Sequence, residues 1–315
     1  MPVTQEHVFL RPRVAQFLTF CGARNLSANT VRAYKRDVTD FVEVIGADPA
    51  VTDINRKLIR AYLVKLSEGG LTRSSVYRKL AAVKTFCRWL ENEGLLDSAL
   101  IETLTSGRRR EQLPDVPTEA EVQRLIDGDI PGKCPERDRL ILELLYGAGL
   151  RASELVGINM SDFQENGVLL VRGKGKKERL AIFGECAQRA LDTWTPVRKK
   201  LLRKIKLKTD ALLFSVGPSQ STERLEVRTI GRIVKAVAEE RGFNPEKWHP
   251  HLLRHACGTH CHDRGMTLQA VAQLLGHARL ATAQIYTRVS TGRMMDVYRR
   301  AHPHAVNNYA EELSS

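Results

Sequence analysis

The chain has 315 residues, 43% hydrophobic and 27% charged, with 49 lysines and arginines against 36 aspartates and glutamates, a net charge of +13. That length suits about two domains, and the composition excludes collagen-like, disulfide-scaffold and wholly disordered chains. No apolar run approaches the ~18 residues of a membrane-spanning helix; Leu140 to Leu150 comes nearest and contains Glu143. Glu6, Arg11 and Arg13 stand where a secretory signal would place its apolar core. Six cysteines without framework spacing suit a reducing compartment, so a cytoplasmic protein is expected. The charge excess is spread along the chain, with 15 basic against 11 acidic residues before Gly107 and 34 against 25 from there on. A folded protein basic throughout points to a polyanionic partner, with DNA or RNA the default.

In chain order, Ser27 reads as an N-cap ahead of Val31, Tyr34, Val38, Phe41 and Ile45, an apolar stripe at helical spacing. A second stripe, Leu58, Tyr62 and Leu66, stops at Gly69-Gly70. Thr72 opens a third, with Val76, Leu80, Val83, Cys87 and Leu90, which ends at Gly94. With a further helix around Val14 to Cys21, these predict an all-helical domain over 1–104. Arg73, Arg78, Lys79, Lys84 and Arg88 lie mostly off the last stripe, as a DNA-facing surface or a solvated one. Periodicity fails through TSGRRREQLPDVP, a polar, basic segment with two prolines that marks a linker over 105–117. Thr118 and Glu121 form a capping-box pattern that starts a second domain over 118–300. Val168–Val171 and Leu180–Phe183, around a Gly-Lys-Gly turn, predict a β-hairpin. Thr229–Glu240, Pro250–Arg264, Thr267–Leu275 and Ala281–Arg288 predict helices. The expected fold is mainly α with a small β-hairpin or sheet.

Four segments carry chemistry: LYGAGLRASELVGI around Arg151, RGKGKKERL around Lys174, HPHLLRHACGTH with His251 and Arg254, and LLGHARLATAQIYTRV with His277 and Tyr286. In this order and spacing they resemble the tyrosine recombinase (phage integrase) family. The ending VYRRAHPHA, Val297 to Ala305, is most similar to its Xer branch of site-specific recombinases. The helical first domain resembles the family's core-binding, SAM-like domain, and RKLAAVKTFCRWLENEG is similar to its last helix. The resemblance implies a two-domain clamp around duplex DNA. It also implies a synapse of four protomers, as a homotetramer or as a heterotetramer with a paralogous recombinase, and an activating protein is a further candidate partner. Strands would be cut and rejoined through a 3′-phosphotyrosyl link and a free 5′ hydroxyl. That link keeps the bond energy, so no metal or other cofactor is expected, and no membrane. Chromosome or plasmid dimer resolution is the expected role. An integrase or transposase of a mobile element, a type IB topoisomerase-like swivelase and a non-catalytic DNA-binding protein are the alternatives.

The residues agree with that chemistry. Tyrosine attack on a phosphodiester needs a nucleophile, charge stabilisation and a proton for the leaving oxygen. Arg151 and Arg254 supply planar guanidiniums suited to the non-bridging oxygens. His251 and Arg254, three apart, share a helix face. Lys174 on a hairpin turn suits a general acid, and Tyr286, with an ordinary pKa of ~10, needs help to lose its proton, for which His251 is the candidate. His277 would hydrogen-bond the phosphate, and Glu154 resembles the family's acidic position, orienting the site; Tyr298 is the next candidate nucleophile. GKGK lacks the pattern of a nucleotide-binding P-loop. His249, His251, His255, Cys257, His260, Cys261 and His262 invite a zinc reading, but no second CxxC pair exists, and the cysteines are expected to pack as small apolar residues. Cys261, His262 and Ala281 depart from the family's usual residues, as does Asp97-Ser98-Ala99 before the linker. Beyond Tyr286, Met294, Met295, Val297 and Tyr298 are expected to form an apolar docking face for a neighbouring protomer. His302-Pro303 should end that helix and leave a free tail over 301–315.

Overall fold

The computed structural model describes residues 8–24, 26–46, 49–97, 116–173, 178–215, 224–276 and 288–306, the side chains of Ser74 and 288–291 excepted. The chain forms two compact units, Met1–Leu113 and Pro114–Ser315.

The first unit is built from helices α1 (Leu10–Ala23), α2 (Ala28–Ile45), α3 (Arg56–Glu68) and α4 (Arg73–Asn92). Ser27, Asn55 and Thr72 accept the backbone N–H groups of Thr30, Leu58 and Ser75, each such cap contributing ~1 kcal/mol. The apolar stripes meet in one core containing Phe17, Val38, Phe41, Tyr62, Val83, Phe86 and Leu90. There Phe17 meets Phe86 edge-on at 5.2 Å and Phe41 meets Tyr62 at 5.1 Å, the geometry the aromatic quadrupole favours. Helix α1 runs longer than its periodic stretch because Leu10 N–H donates to Pro49 O at 2.8 Å, stitching it to the segment after α2.

Of the expected DNA-facing cations, Arg78 and Lys79 are paired with carboxylates of α2, Arg78 staying exposed and Lys79 buried. Asp37 on α2 is 1% exposed and pairs with Arg78, while Lys79 is buried, pairs with Asp40 and lies 3.6 Å from Asp37. A buried carboxylate needs compensating charge, and α4 supplies it. Arg73 and Arg88 are exposed and Lys84 is half-buried; at 100° per residue these three fall on one stripe of α4.

The second unit contains α5 (Glu119–Ile126), α6 (Pro135–Tyr146), α7 (Ala152–Val156), β1 (Phe163–Gln164), β2 (Val168–Arg172), β3 (Glu178–Ile182), α8 (Glu185–Ile205), α9 (Val227–Glu240), α10 (Pro250–Asp263), α11 (Leu268–Leu275) and α12 (Arg288–Ala301). Thr118 and Glu121 exchange hydrogen bonds in a capping box at the start of α5. The run Leu140–Leu150 is buried throughout, since α6 lies at the centre of the unit and is covered on all sides. The hairpin forms with Val168 opposite Ile182 and Arg172 opposite Glu178, and β1 adds a third antiparallel strand. Helix α8 packs Cys186, Ala187, Ala190 and Trp194 against α6, and the Trp194 indole donates to Leu212 O at 3.1 Å.

The expected docking face packs on its own unit, and the tail is not free as far as Val306. Met294, Met295 and Tyr298 are core residues, and the Tyr298 hydroxyl donates to Gly147 O at 3.0 Å. Helix α12 does end at Ala301, but the chain stays on the unit. His302 Nε2–H donates to Tyr146 O at 3.3 Å, His304 Nδ1–H to Glu143 at 2.9 Å, and Glu185 N–H to Ala305 O at 3.1 Å. The Tyr146 ring provides the apolar seat, with the His302 and His304 rings 5.0 and 4.9 Å away. Residues 307–315 lie outside the described residues.

Candidate active site

Of the nominated catalytic residues, Arg151, His251 and Arg254 are described, together with Glu154. Lys174, His277 and Tyr286 lie outside the described residues. Along the sequence, Lys174 falls between β2 and β3, His277 follows Gly276 at the end of α11, and Tyr286 stands two residues before α12.

The loop after α6 delivers Arg151 to the N-terminus of α7. Gly149, at φ +56°, makes the turn: a Cβ there would lie 2.5 Å from Leu275 Cδ2 and 3.2 Å from Cys257 Sγ, so the loop is seated directly on α10 and α11. Glu154 reaches back one turn and accepts the Arg151 backbone N–H at 2.9 Å and its guanidinium at 2.7 Å. Arg254, on α10, donates to Gly149 O and Leu275 O, and its Nη1 lies 3.7 Å from Glu154. One buried arginine therefore holds both the loop before Arg151 and the helix end before His277. His249 caps α10, its Nδ1 accepting Leu252 N–H at 3.0 Å, with Pro250 pre-set as the first helical residue. This start places His251 at the solvent rim and Arg254 one turn deeper, 5% exposed.

The electrostatics favour an anion. Glu154 is shared by three guanidiniums: Arg151, Arg254 and, from β3, Arg179, whose Nη2 lies 3.2 Å away. Burial pushes the Glu154 carboxyl up, but Arg179 and Arg151 outweigh it and hold the group below its ordinary value. Arg254 is pulled down to about 10, first by burial and then by the positive charge of Arg151. Three cations facing one carboxylate leave net positive charge at the mouth, where the Arg151 side chain is 37% exposed. Arg179 was given no role from the sequence, although a basic residue on the strand following the GKGK turn was the available signal, and His249 was considered only as a member of the zinc cluster, not as the cap of α10.

Tyr298, the reserve nucleophile, is fully buried with its hydroxyl bonded to Gly147 O, so it has no access to a phosphate. Cys257 and Cys261 are buried free cysteines, and His262 Nδ1–H donates to Met266 O at 2.9 Å. Cys257, Cys261 and His302 offer ligand atoms within 4.8 Å of one another, as do Glu143, Cys186 and His304. Structural zinc takes four ligands, and among the described residues each group has three. His302 Nδ1 is occupied by His304 N–H, and His304 by Glu143.

A helical unit is followed by a second helical unit with a three-stranded sheet, whose guanidinium cluster suits an anionic group such as a phosphate. The chain matches the Phage integrase family over residues 116–293 and the Phage integrase N-terminal SAM-like domain over 14–94. It belongs to that family and is a tyrosine recombinase. It is 34% identical to Tyrosine recombinase XerC of Chlorobaculum tepidum over 90% of this chain and 92% of that one. It is 32% identical to Tyrosine recombinase XerD of Oceanobacillus iheyensis over 90% and 95%. A lambda integrase tetramer bound to a Holliday junction shares the fold, with TM-score 0.67 and 19% identity over 91% of this chain and 78% of the other.

Proposed function

We propose that this recombinase resolves chromosome or plasmid dimers in the cytoplasm by cutting and rejoining a specific duplex site. The observation that carries the chemistry is the pairing of Arg151 and Arg254 on Glu154 beneath a partly open mouth. The two guanidiniums bind the non-bridging oxygens as negative charge builds up on phosphorus. Tyr286 attacks, its proton passing to His251; the bond to the 5′ oxygen breaks, Lys174 protonates that oxygen, and a 3′-phosphotyrosyl link remains. His277 hydrogen-bonds the phosphate. A free 5′ hydroxyl from the partner strand then reverses the sequence and releases the tyrosine. The number of phosphoester bonds is unchanged, so no energy source is consumed.

The two units form a clamp around the duplex, with 105–117 as the linker, 118–300 as the catalytic domain and Arg73, Lys84 and Arg88 as the phosphate contacts of the first domain. Four protomers assemble on two sites, as copies of this chain or with a paralogous recombinase, the relatives being named XerC and XerD. A nicked suicide substrate tests the chemistry. Wild type should accumulate a covalent adduct, and Tyr286→Phe should form none while its DNA affinity, set by many phosphate contacts, stays nearly intact. An adduct in the variant would refute Tyr286 as nucleophile. Sequencing genomic DNA protected by the protein tests the role: one palindromic site near the replication terminus supports dimer resolution, and sites at mobile-element ends refute it.

A further inference from the structure

Arg179 lies in the RGKGKKERL segment but was given no role there, and its side chain joins Glu154 to the end of α11. Its side chain is 12% exposed, and its two terminal nitrogens diverge: Nη2 donates to Glu154 at 3.2 Å and Nη1 to Leu274 O at 3.2 Å. Leu274 and Leu275 are the last two residues of α11, and Arg254 takes the second of their carbonyls. Two guanidiniums, one from β3 and one from α10, thus cap the negative end of the helix that leads to His277. Both also neighbour Glu154, which closes a ring: Glu154, Arg179, the end of α11, Arg254 and Glu154 again.

Gly276 shows how tightly this ring is drawn. It leaves the helix at φ +66°, and a Cβ on it would lie 2.5 Å from Arg179 Cδ and 2.7 Å from Nε. The backbone next to His277 rests on the Arg179 side chain. Nε is buried without a hydrogen-bond partner, an arrangement that ordinarily costs ~1–3 kcal/mol. The side chain's other two nitrogens are both spent inside the protein, on the residue that orients Arg151 and on the helix that presents His277.

We propose that Arg179 is a positioning residue for strand cleavage, locking β3, Glu154 and the end of α11 together so that the Arg151 and Arg254 guanidiniums are held to act on one phosphate. This rests on the roles assigned above to Arg151 and Arg254. Internal bonding does not by itself separate Arg179 from Arg254, whose terminal nitrogens also donate to backbone carbonyls; what sets Arg179 apart is the contact of its side chain with Gly276, through which it braces the end of α11.

A neutral scissile group separates the two kinds of arginine. In a methylphosphonate linkage one non-bridging oxygen is replaced by a methyl group, so the charge that a clamping arginine must balance is gone. Single-turnover cleavage of a nicked substrate by the full-length protein is measured with a phosphate and with a methylphosphonate at the scissile position. Arg254→Ala should lose most activity on phosphate and recover much of it on methylphosphonate. Arg179→Met should bind DNA as wild type, lose about 10²-fold in cleavage as expected for a misplaced site, and stay equally slow on both substrates. Arg179→Lys, which keeps the charge but reaches only one of the two acceptors, should show a smaller loss with the same lack of recovery. It carries the test if Arg179→Met does not fold. Near-wild-type cleavage by these variants overturns the proposal, and so does recovery on methylphosphonate equal to that of Arg254→Ala, which would turn Arg179 toward the phosphate. Failure of Arg254→Ala to recover, with both variants alike, overturns the clamp reading and this proposal with it.

Discussion

Replacing Glu154 with glutamine removes one negative charge from among three guanidiniums and hardly changes the size of the side chain. The lost carboxylate accepts the Arg151 backbone N–H at 2.9 Å and its guanidinium at 2.7 Å, sits 3.2 Å from Arg179 and 3.7 Å from Arg254. Glu154 is 4% exposed and Arg254 5%, so water does little to screen the cations left behind. Removing one partner of a buried pair costs ~3–5 kcal/mol. Arg151 lies at the mouth and can turn outward, which places this case near ~3 kcal/mol. Glu154→Gln should therefore lower the urea midpoint of the catalytic unit by about 1 M with an unchanged slope. The loss of charge has a second consequence that the loss of a helix cap alone lacks. Sulfate, occupying the uncompensated cation cluster, should stabilise the variant more than wild type, following the usual logarithmic dependence on ligand concentration. A variant as stable as wild type, or one that sulfate helps no more than wild type, would refute the view that Glu154 balances these arginines.

Two further expectations follow from burial. His260 and His302 are 5% and 3% exposed, and burial holds both below the ordinary imidazole pKa of 6.5. The unfolded chain takes up protons first, so their contribution is complete above that value and declines below it, by up to ~1.4 kcal/mol per pH unit for each. Urea titrations from about pH 7 to about pH 5 should show stability falling through this window, and a flat response would mean that neither ring is buried. Ending the chain after Thr291 removes Met294, Met295, Tyr298, His302 and His304 from the core and should collapse the thermal transition of the catalytic unit, whereas ending it after Val306 should leave that transition in place. A protein of residues 1–291 that melts at the full-length temperature would refute the packing of α12.

Local pattern made much of the fold legible. Ser27, Thr72 and the Thr118–Glu121 box cap the helices that their sequences announce, because the capping partners lie three residues away. The β2–β3 pair followed from its change of period. Helix α8 was missed: its second half, Arg198 to Lys204, is crowded with basic residues and Pro196 interrupts the stripe, so only its contact with α6 reveals its inner face. The burial of Lys79 depends on Asp37 and Asp40, which stand about forty residues earlier on another helix. Within the site, Arg151, Glu154 and Arg254 were nominated through the family resemblance of their segments, and the structure brings the three side chains together. Arg179 was not nominated, since its partners lie at Glu154 and Leu274, far away in sequence on either side. The fold-back at His302 and His304 was hidden because two histidines flanking a proline read as a polar exit, until Tyr146 and Glu143 are seen beneath them.

That fold-back also orders events in time. Pairing His304 with Glu143 and Ala305 with Glu185 joins the end of the catalytic unit to its central helix and to α8, contacts that span much of the chain. Such contacts form late, after the cost of closing long loops has been met. Synthesis proceeds from the N-terminus, so Arg151 and Arg254 emerge before the segment that completes the core of their unit. A chain made only as far as Asp296 lacks the contacts of Tyr298, His302, His304 and Ala305, so the core of the second unit is completed only once residue 305 has been made and docked.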